Sequence, residues 1–225
     1  TNITNGIIHA FKEYDASEII MGLHEKKTDG DKFWGIFTPD LVNQLNRQII
    51  LCRCNRPLNT LRRILVAVPS RVEFEQGFYR WIERLARLAE NLSCRIIFHG
   101  RIESTSLINE YIRNQHPGVR AEYVLMEHWK EFTQLAQQMS SDHMLVVISA
   151  RQGTVSYKPV FERLPLELYR HYHEHNLMVV FPDQNGQSPE DMTFTAPQHH
   201  SVDSAYSSIV NWVMKKIDKG RSDAS

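Results

Sequence analysis

Cysteine is scarce and odd in number: Cys52, Cys54 and Cys94 are the whole set. Three thiols do not make a disulfide-stapled secreted scaffold, and they fit a reducing compartment. Charge of one sign is missing too. Lys plus Arg number 26 and so do Asp plus Glu, so there is no bulk basic surplus to neutralise nucleic-acid phosphates. No run approaches the ~18 apolar residues that cross a bilayer, and no charged and apolar leader opens the chain. A soluble, non-secreted chain is expected. The first residue is Thr1 rather than Met, which hints at a chain excised from a larger protein, even a membrane one. H-E-x-x-H, G-x-S-x-G and G-x-x-x-x-G-K are all lacking, and no paired-carboxylate constellation stands out. No catalytic set is therefore expected, and no metal.

What is present is an ordinary globular balance, 42% hydrophobic and 23% charged over 225 residues, with room for one large domain or one and a half small ones. Short apolar runs at 18–22, 49–52, 64–68, 94–98, 121–126, 144–148 and 177–181 read as buried parallel strands. Helical spacing appears between them. Phe74, Phe78, Trp81, Ile82, Leu85, Leu88, Ala89 and Leu92 sustain a 3.6-residue period over 72–92. Shorter helices are predicted at 5–14 with Thr4 or Asn5 as cap, at 39–46 with Thr38 as cap and Pro39 in the first turn, and at 105–115, 130–140 and 161–174. Strands alternating with helices predict βαβ units, a mainly parallel sheet and helices on both faces.

The pattern repeats. Helix, strand, polar loop, helix and strand over 5–52 parallel the same sequence of elements over 130–181. Thirty residues separate Ile19 from Ile49, and thirty-two separate Leu145 from Leu177. Residues 1–57 thus read as the last two strands of a five-strand module, 62–182 as a whole one, and 183–225 as a polar loop with an amphipathic helix. That helix places Ala205, Ile209, Val210, Val213, Met214 and Ile217 on one face over 203–218. A half-module cannot bury both faces of its strands alone. The expected solution is one continuous sheet, with 49–52 pairing with 177–181 and 18–22 left as an open edge. An open apolar edge favours self-association, so a homodimer is expected.

These elements resemble the universal stress protein fold, a doubly wound parallel sheet of the adenine nucleotide alpha hydrolase-like kind. The stretch Ile19-Ile-Met-Gly-Leu-His24, with Gly35 and a following helix, is similar to that family's nucleotide loop, Gly-x-x-Gly-x9-Gly-Ser/Thr. Gly22 and Gly35 match the outer glycines, but Glu25 stands at the middle one and Ile36 at the hydroxyl position. Pro69 replaces the acidic residue that the family carries after its first strand. The loop Ser149 to Lys158 lacks the glycine spacing as well. No cofactor is therefore expected, although Arg151, Thr154 and Lys158 could still hold an anion where a solvated polar loop is the alternative.

A half-module joined to a whole one is similar to the cytoplasmic C-terminal region of bacterial cation:proton antiporters, chiefly over Gln48–Val68, Met144–Thr154 and Phe161–Leu168. The resemblance implies a non-catalytic regulatory or dimerisation domain on the cytoplasmic side of the inner membrane. Its partners would be a second copy and the transmembrane antiporter domain of the same polypeptide, not nucleic acid. A free-standing stress-type nucleotide-binding protein is the alternative, and a nucleotide hydrolase of the related group stands third.

Three residue groups carry open readings. Cys52 and Cys54 form a C-x-C pair that would need further ligands to hold a metal; otherwise they are two side chains at a strand end. His171 and His175 share a helix face, as metal ligands or as cations suited to a helix C-terminus. His199 and His200 lie in a polar loop.

Overall fold

The computed structural model describes residues 3–23, 33–35 and 38–184. His24, most of the loop that follows it, His199, His200 and the amphipathic segment at 203–218 lie outside the described residues. The elements run α1 (Ile3–Tyr14), β1 (Glu18–Gly22), α2 (Thr38–Gln44), β2 (Gln48–Arg53), β3 (Arg63–Ala67), α3 (Phe78–Asn91), β4 (Arg95–Gly100), α4 (Ile102–Gln115), β5 (Ala121–Leu125), β6 (His143–Ile148), α5 (Leu164–Tyr172) and β7 (Asn176–Phe181). Four 3₁₀ stretches join them, at Leu58–Thr60, Val72–Phe74, Trp129–Gln138 and Pro159–Arg163.

The seven strands form one sheet in the order β1-β2-β7-β6-β3-β4-β5. Every pairing is parallel except β2 with β7, where Leu51 faces Val179 and Cys52 faces Met178. This is the pairing of 49–52 with 177–181 expected from the repeat, and among the described residues β1 is an edge.

Alternation of side chains across the strands divides the core in two. Ile49, Leu51, Leu145, Val147, Leu177 and Val179 face α1, α2, α5 and the Trp129–Gln138 stretch. Ile50, Ile64, Val66, Met144, Val146 and Val180 face α3 and α4. Central strands are apolar on both faces, so their sequences read as unbroken runs rather than alternating ones.

The antiparallel contact between β2 and β7 has a two-fold sense. On one side stand β7 and β6, with α5 between them in sequence and Trp129–Gln138 ahead. On the other stand β2 and β1, with α2 between them and α1 ahead. All four helical segments pack on the same face.

Four helix expectations are corrected. Thr4 and Asn5 lie inside α1 rather than capping it, and Thr4 is fully buried. Thr38 is the first residue of α2. The single helix expected over 72–92 is broken before Phe78. Glu75 is extended there, at φ −75° and ψ 139°, and a Cβ on Gly77 would sit 2.5 Å from the backbone nitrogen and oxygen of Asp183, so the chain after β7 packs directly on the residue that precedes α3. The segment 130–140 adopts a 3₁₀ conformation, and the Phe132 carbonyl accepts the Tyr172 hydroxyl.

Candidate functional site

In a doubly wound sheet the ligand crevice opens beyond the carboxyl ends of the strands where chain order reverses. Here that point lies between β3 and β6. From β3 the chain crosses to β4 through α3 on one face, and from β6 to β7 through α5 on the other. Loops 68–77 and 149–158 form the rim.

The crevice holds the protein's own carboxylate. Glu75, 4% exposed, accepts the backbone N–H of Ser156 at 3.0 Å and the Ser156 hydroxyl at 2.5 Å, both on Oε1. Its Oε2 accepts the Gln184 side-chain amide at 3.1 Å. A loop N–H and hydroxyl held on one oxygen is how such loops grip phosphate; here they grip Glu75. Beside it, Asp183 pairs with Arg80 at 3.1 Å.

Arg151 completes the cluster. Its guanidinium is 2% exposed and donates to four backbone carbonyls. Nε reaches Val42 at 3.2 Å, Nη2 reaches Leu45 at 3.1 Å and Arg47 at 2.6 Å, and Nη1 reaches Pro182. Burial pulls its pKa down to about 10, while Asp183 and Glu75 act in the opposite sense. Two carboxylates and two guanidiniums balance, leaving no positive surplus at the centre.

The residues expected to hold an anion are thus differently employed. Arg151 directs its donors at Val42 in α2, at Leu45 and Arg47 between α2 and β2, and at Pro182. Thr154 is buried and donates both its N–H and its hydroxyl to the Arg151 carbonyl, at 3.1 and 2.9 Å, in a turn that needs Gly153 at φ 89°. Lys158 alone keeps a half-exposed ammonium at the rim. Burial first, then Arg101 and Arg71 nearby, lower its pKa.

Gly22 ends β1 level with Cys52, which in turn faces Met178. Trp34, next to Gly35, packs edge-on against Phe181 at 5.9 Å, about 10 Å farther along the strand. Gly35 itself has φ 78°, in the left-handed region that favours glycine. Arg151 lies over the same Phe181 ring at 5.9 Å. His24 lies outside the described residues.

Among the described residues no group of three or more His, Cys, Asp or Glu side chains sits at metal-binding spacing. His171 contacts Glu167 at 3.3 Å, an i, i+4 pair within α5. Cys52 has its thiol pushed up to about 12 by burial and by Cys54, which opposes thiolate chemistry. No helix among the described residues is long and apolar enough to cross a membrane.

A second cluster pins α3 to α4. Glu83 accepts His116 at 2.6 Å, Tyr111 at 2.8 Å and Arg87 at 2.5 Å. The His116 hydrogen bond, aided by Arg87 and Tyr111, holds the Glu83 carboxyl down at about 2.

Sequence reasoning passed over Glu75, Asp183, Gln184 and Arg80. One signal was available: Glu75 falls three residues before Phe78, on the apolar stripe of the expected helix, where an acid needs a partner.

The class these features define is an α/β protein with a mostly parallel seven-stranded sheet, whose five strands from β3 to β7 follow a doubly wound order. Among solved structures, the chain is similar to a putative universal stress protein from Pseudomonas aeruginosa UCBPP-PA14 and to a protein of unknown function from Pseudomonas aeruginosa PAO1. Each is 17% identical with a TM-score of 0.45, over 81% of this chain and 69% of the other. No known family and no curated protein matches the sequence.

Proposed function

We propose that this chain is a non-catalytic regulatory and association module, not a nucleotide enzyme. The observation behind this reading is the Glu75 carboxylate seated on the Ser156 N–H and hydroxyl at the switch point. A phosphate would have to displace this buried carboxylate from donors it already occupies, in a cluster whose charges balance. Thermal melting with ATP, AMP, cyclic dinucleotides and inorganic phosphate tests it. Flat melting curves are expected. A melting temperature that climbs with ligand concentration overturns the reading and favours the free-standing nucleotide-binding alternative.

The association part rests on the backbone edge of β1, the end strand of the sheet among the described residues. A second copy pairing there forms a homodimer, so light scattering is expected to give twice the chain mass, and a monomer at high concentration counts against it. The narrower reading is the cytoplasmic tail of a bacterial monovalent cation:proton antiporter, at the inner face of the membrane. It rests on the sequence resemblance over Gln48–Val68, Met144–Thr154 and Phe161–Leu168. The parent reading frame decides it: a series of apolar segments of ~20 residues ahead of Thr1 supports the tail, and a start codon a few residues upstream removes it.

A further inference from the structure

The two-fold sense of the sheet exposes an unfilled position. On the α3 face, Trp81, Leu85 and Leu88 of α3 share an apolar cluster with Met178 and Val180 of β7. The same face of β1 and β2 has no helix of its own among the described residues. Ile20 stands 65% exposed there. Between it and the flank of α3 runs a groove of about 140 Å³, walled by Ile20, Ile50, Met178, Trp81, Leu85 and Leu88. It accepts side chains rather than a main chain, as the flank of a helix laid across it would supply.

The described residues end at Asp183 and Gln184, and the Arg80 partner of Asp183 lies one turn of α3 from Arg84, which lines the groove. Asp183 pairs with Arg80 of α3, and Arg80 donates onward to the Ser17 carbonyl, at the start of β1, at 3.4 Å. One turn along α3, Arg84 pairs with Glu18 at 2.8 Å, and both border the groove. Gln184 is anchored by its N–H on the Asn46 carbonyl at 2.8 Å. Forty-one residues follow it. Residues 185–202 can span roughly 60 Å when extended, far more than the step from Gln184 to Glu18 requires.

We infer that the amphipathic segment 203–218 of this same chain docks in that groove. Ile209, Val213 and Ile217 would lie on Ile20 and Leu88, supplying the helix that β1 and β2 lack on this face. The site differs from the open backbone of β1, so a second copy can still pair at the edge, and this inference stands apart from the proposed function.

A diazirine-bearing leucine analogue replacing Ile20 in the full chain tests it, with photocrosslinked peptides identified by mass spectrometry. The expected result is crosslinking to peptides within 203–218, with a yield unchanged over a roughly hundredfold dilution, as an intrachain contact requires. Joint substitution Ile209→Asp and Val213→Asp should cut that yield about tenfold, since carboxylates resist entry into an apolar groove. The analogue placed at Leu88, on the opposite wall, should report the same segment and guards against a local effect at position 20. Crosslinks whose yield falls with dilution identify a second copy as the occupant and overturn the inference. Failure of both probes to reach 203–218 overturns it too.

Discussion

Replacing Arg151 with methionine keeps an unbranched apolar stem, shorter than the original side chain, and removes all its donors. Val42 lies in the last turn of the seven-residue α2, whose carbonyls have no intrahelical partners. Arg151 serves the Val42 carbonyl, and those of Leu45 and Arg47 just beyond α2, from more than 100 residues away, tying α2 and β2 to the five-strand unit. Each buried carbonyl left unpaired costs ~1–3 kcal/mol, and such costs overlap when neighbours relax together. Asp183 and Glu75 also lose a buried counter-charge, so the net loss is about 3–5 kcal/mol. Chemical denaturation gives the total, and native-state hydrogen exchange locates it. Amides of β2 and of residues 41–47 should lose protection first, with β3, β4 and β6 following only through global opening. Arg151→Lys should recover a minor part, because an ammonium cannot reproduce the planar fork. A loss under ~1 kcal/mol, or a lysine variant as stable as the parent, refutes the argument.

Other outcomes follow from the same contacts. Gly77→Ala forces a Cβ to 2.5 Å from the Asp183 backbone, so melting should report a loss of about 1–3 kcal/mol even though a φ of −81° suits alanine. Glu83 has its folded pKa depressed to about 2 from an ordinary 4.5. Its contribution is therefore present in full above pH 4.5 and lost as pH falls towards 2. At a quarter-exposed carboxylate screening reduces that contribution to about 1–2 kcal/mol. Glu83→Gln should flatten the stability–pH curve in that window, and an unchanged slope would show that the carboxylate is not the group responsible.

The parts legible in the sequence were those that burial dictates. Strands β3, β6 and β7 are apolar on both faces, so each announces itself as a short unbroken run. The stripe through Phe78, Trp81, Ile82, Leu85 and Ala89 marks α3 because one face of that helix is wholly covered. The pairing of β2 with β7 followed from the need of two strands to bury a face that their own stretch of chain could not cover. Periodicity could not separate 3₁₀ from α in Trp129–Gln138, since spacings of 3.0 and 3.6 residues diverge little over ten positions. The break before Phe78 was hidden because the Asp183 backbone that packs against Gly77 there lies more than 100 residues away. The same holds at the crevice. Arg151, Thr154 and Lys158 looked like a loop awaiting an anion, yet the partner of Ser156 is Glu75, 81 positions distant, and Arg151 serves helix-end carbonyls. Such contacts belong to tertiary structure and leave little local trace.

The most direct test is a titration of the isotopically labelled chain with ATP and magnesium, following the backbone amide resonance of Ser156. With Glu75 already bound to that N–H, the resonance should stay in place up to millimolar ligand. A saturable shift of the Ser156 amide, accompanied by that of Gln184, would mean that nucleotide displaces the carboxylate, and a non-catalytic module with its crevice closed from within would no longer describe this protein.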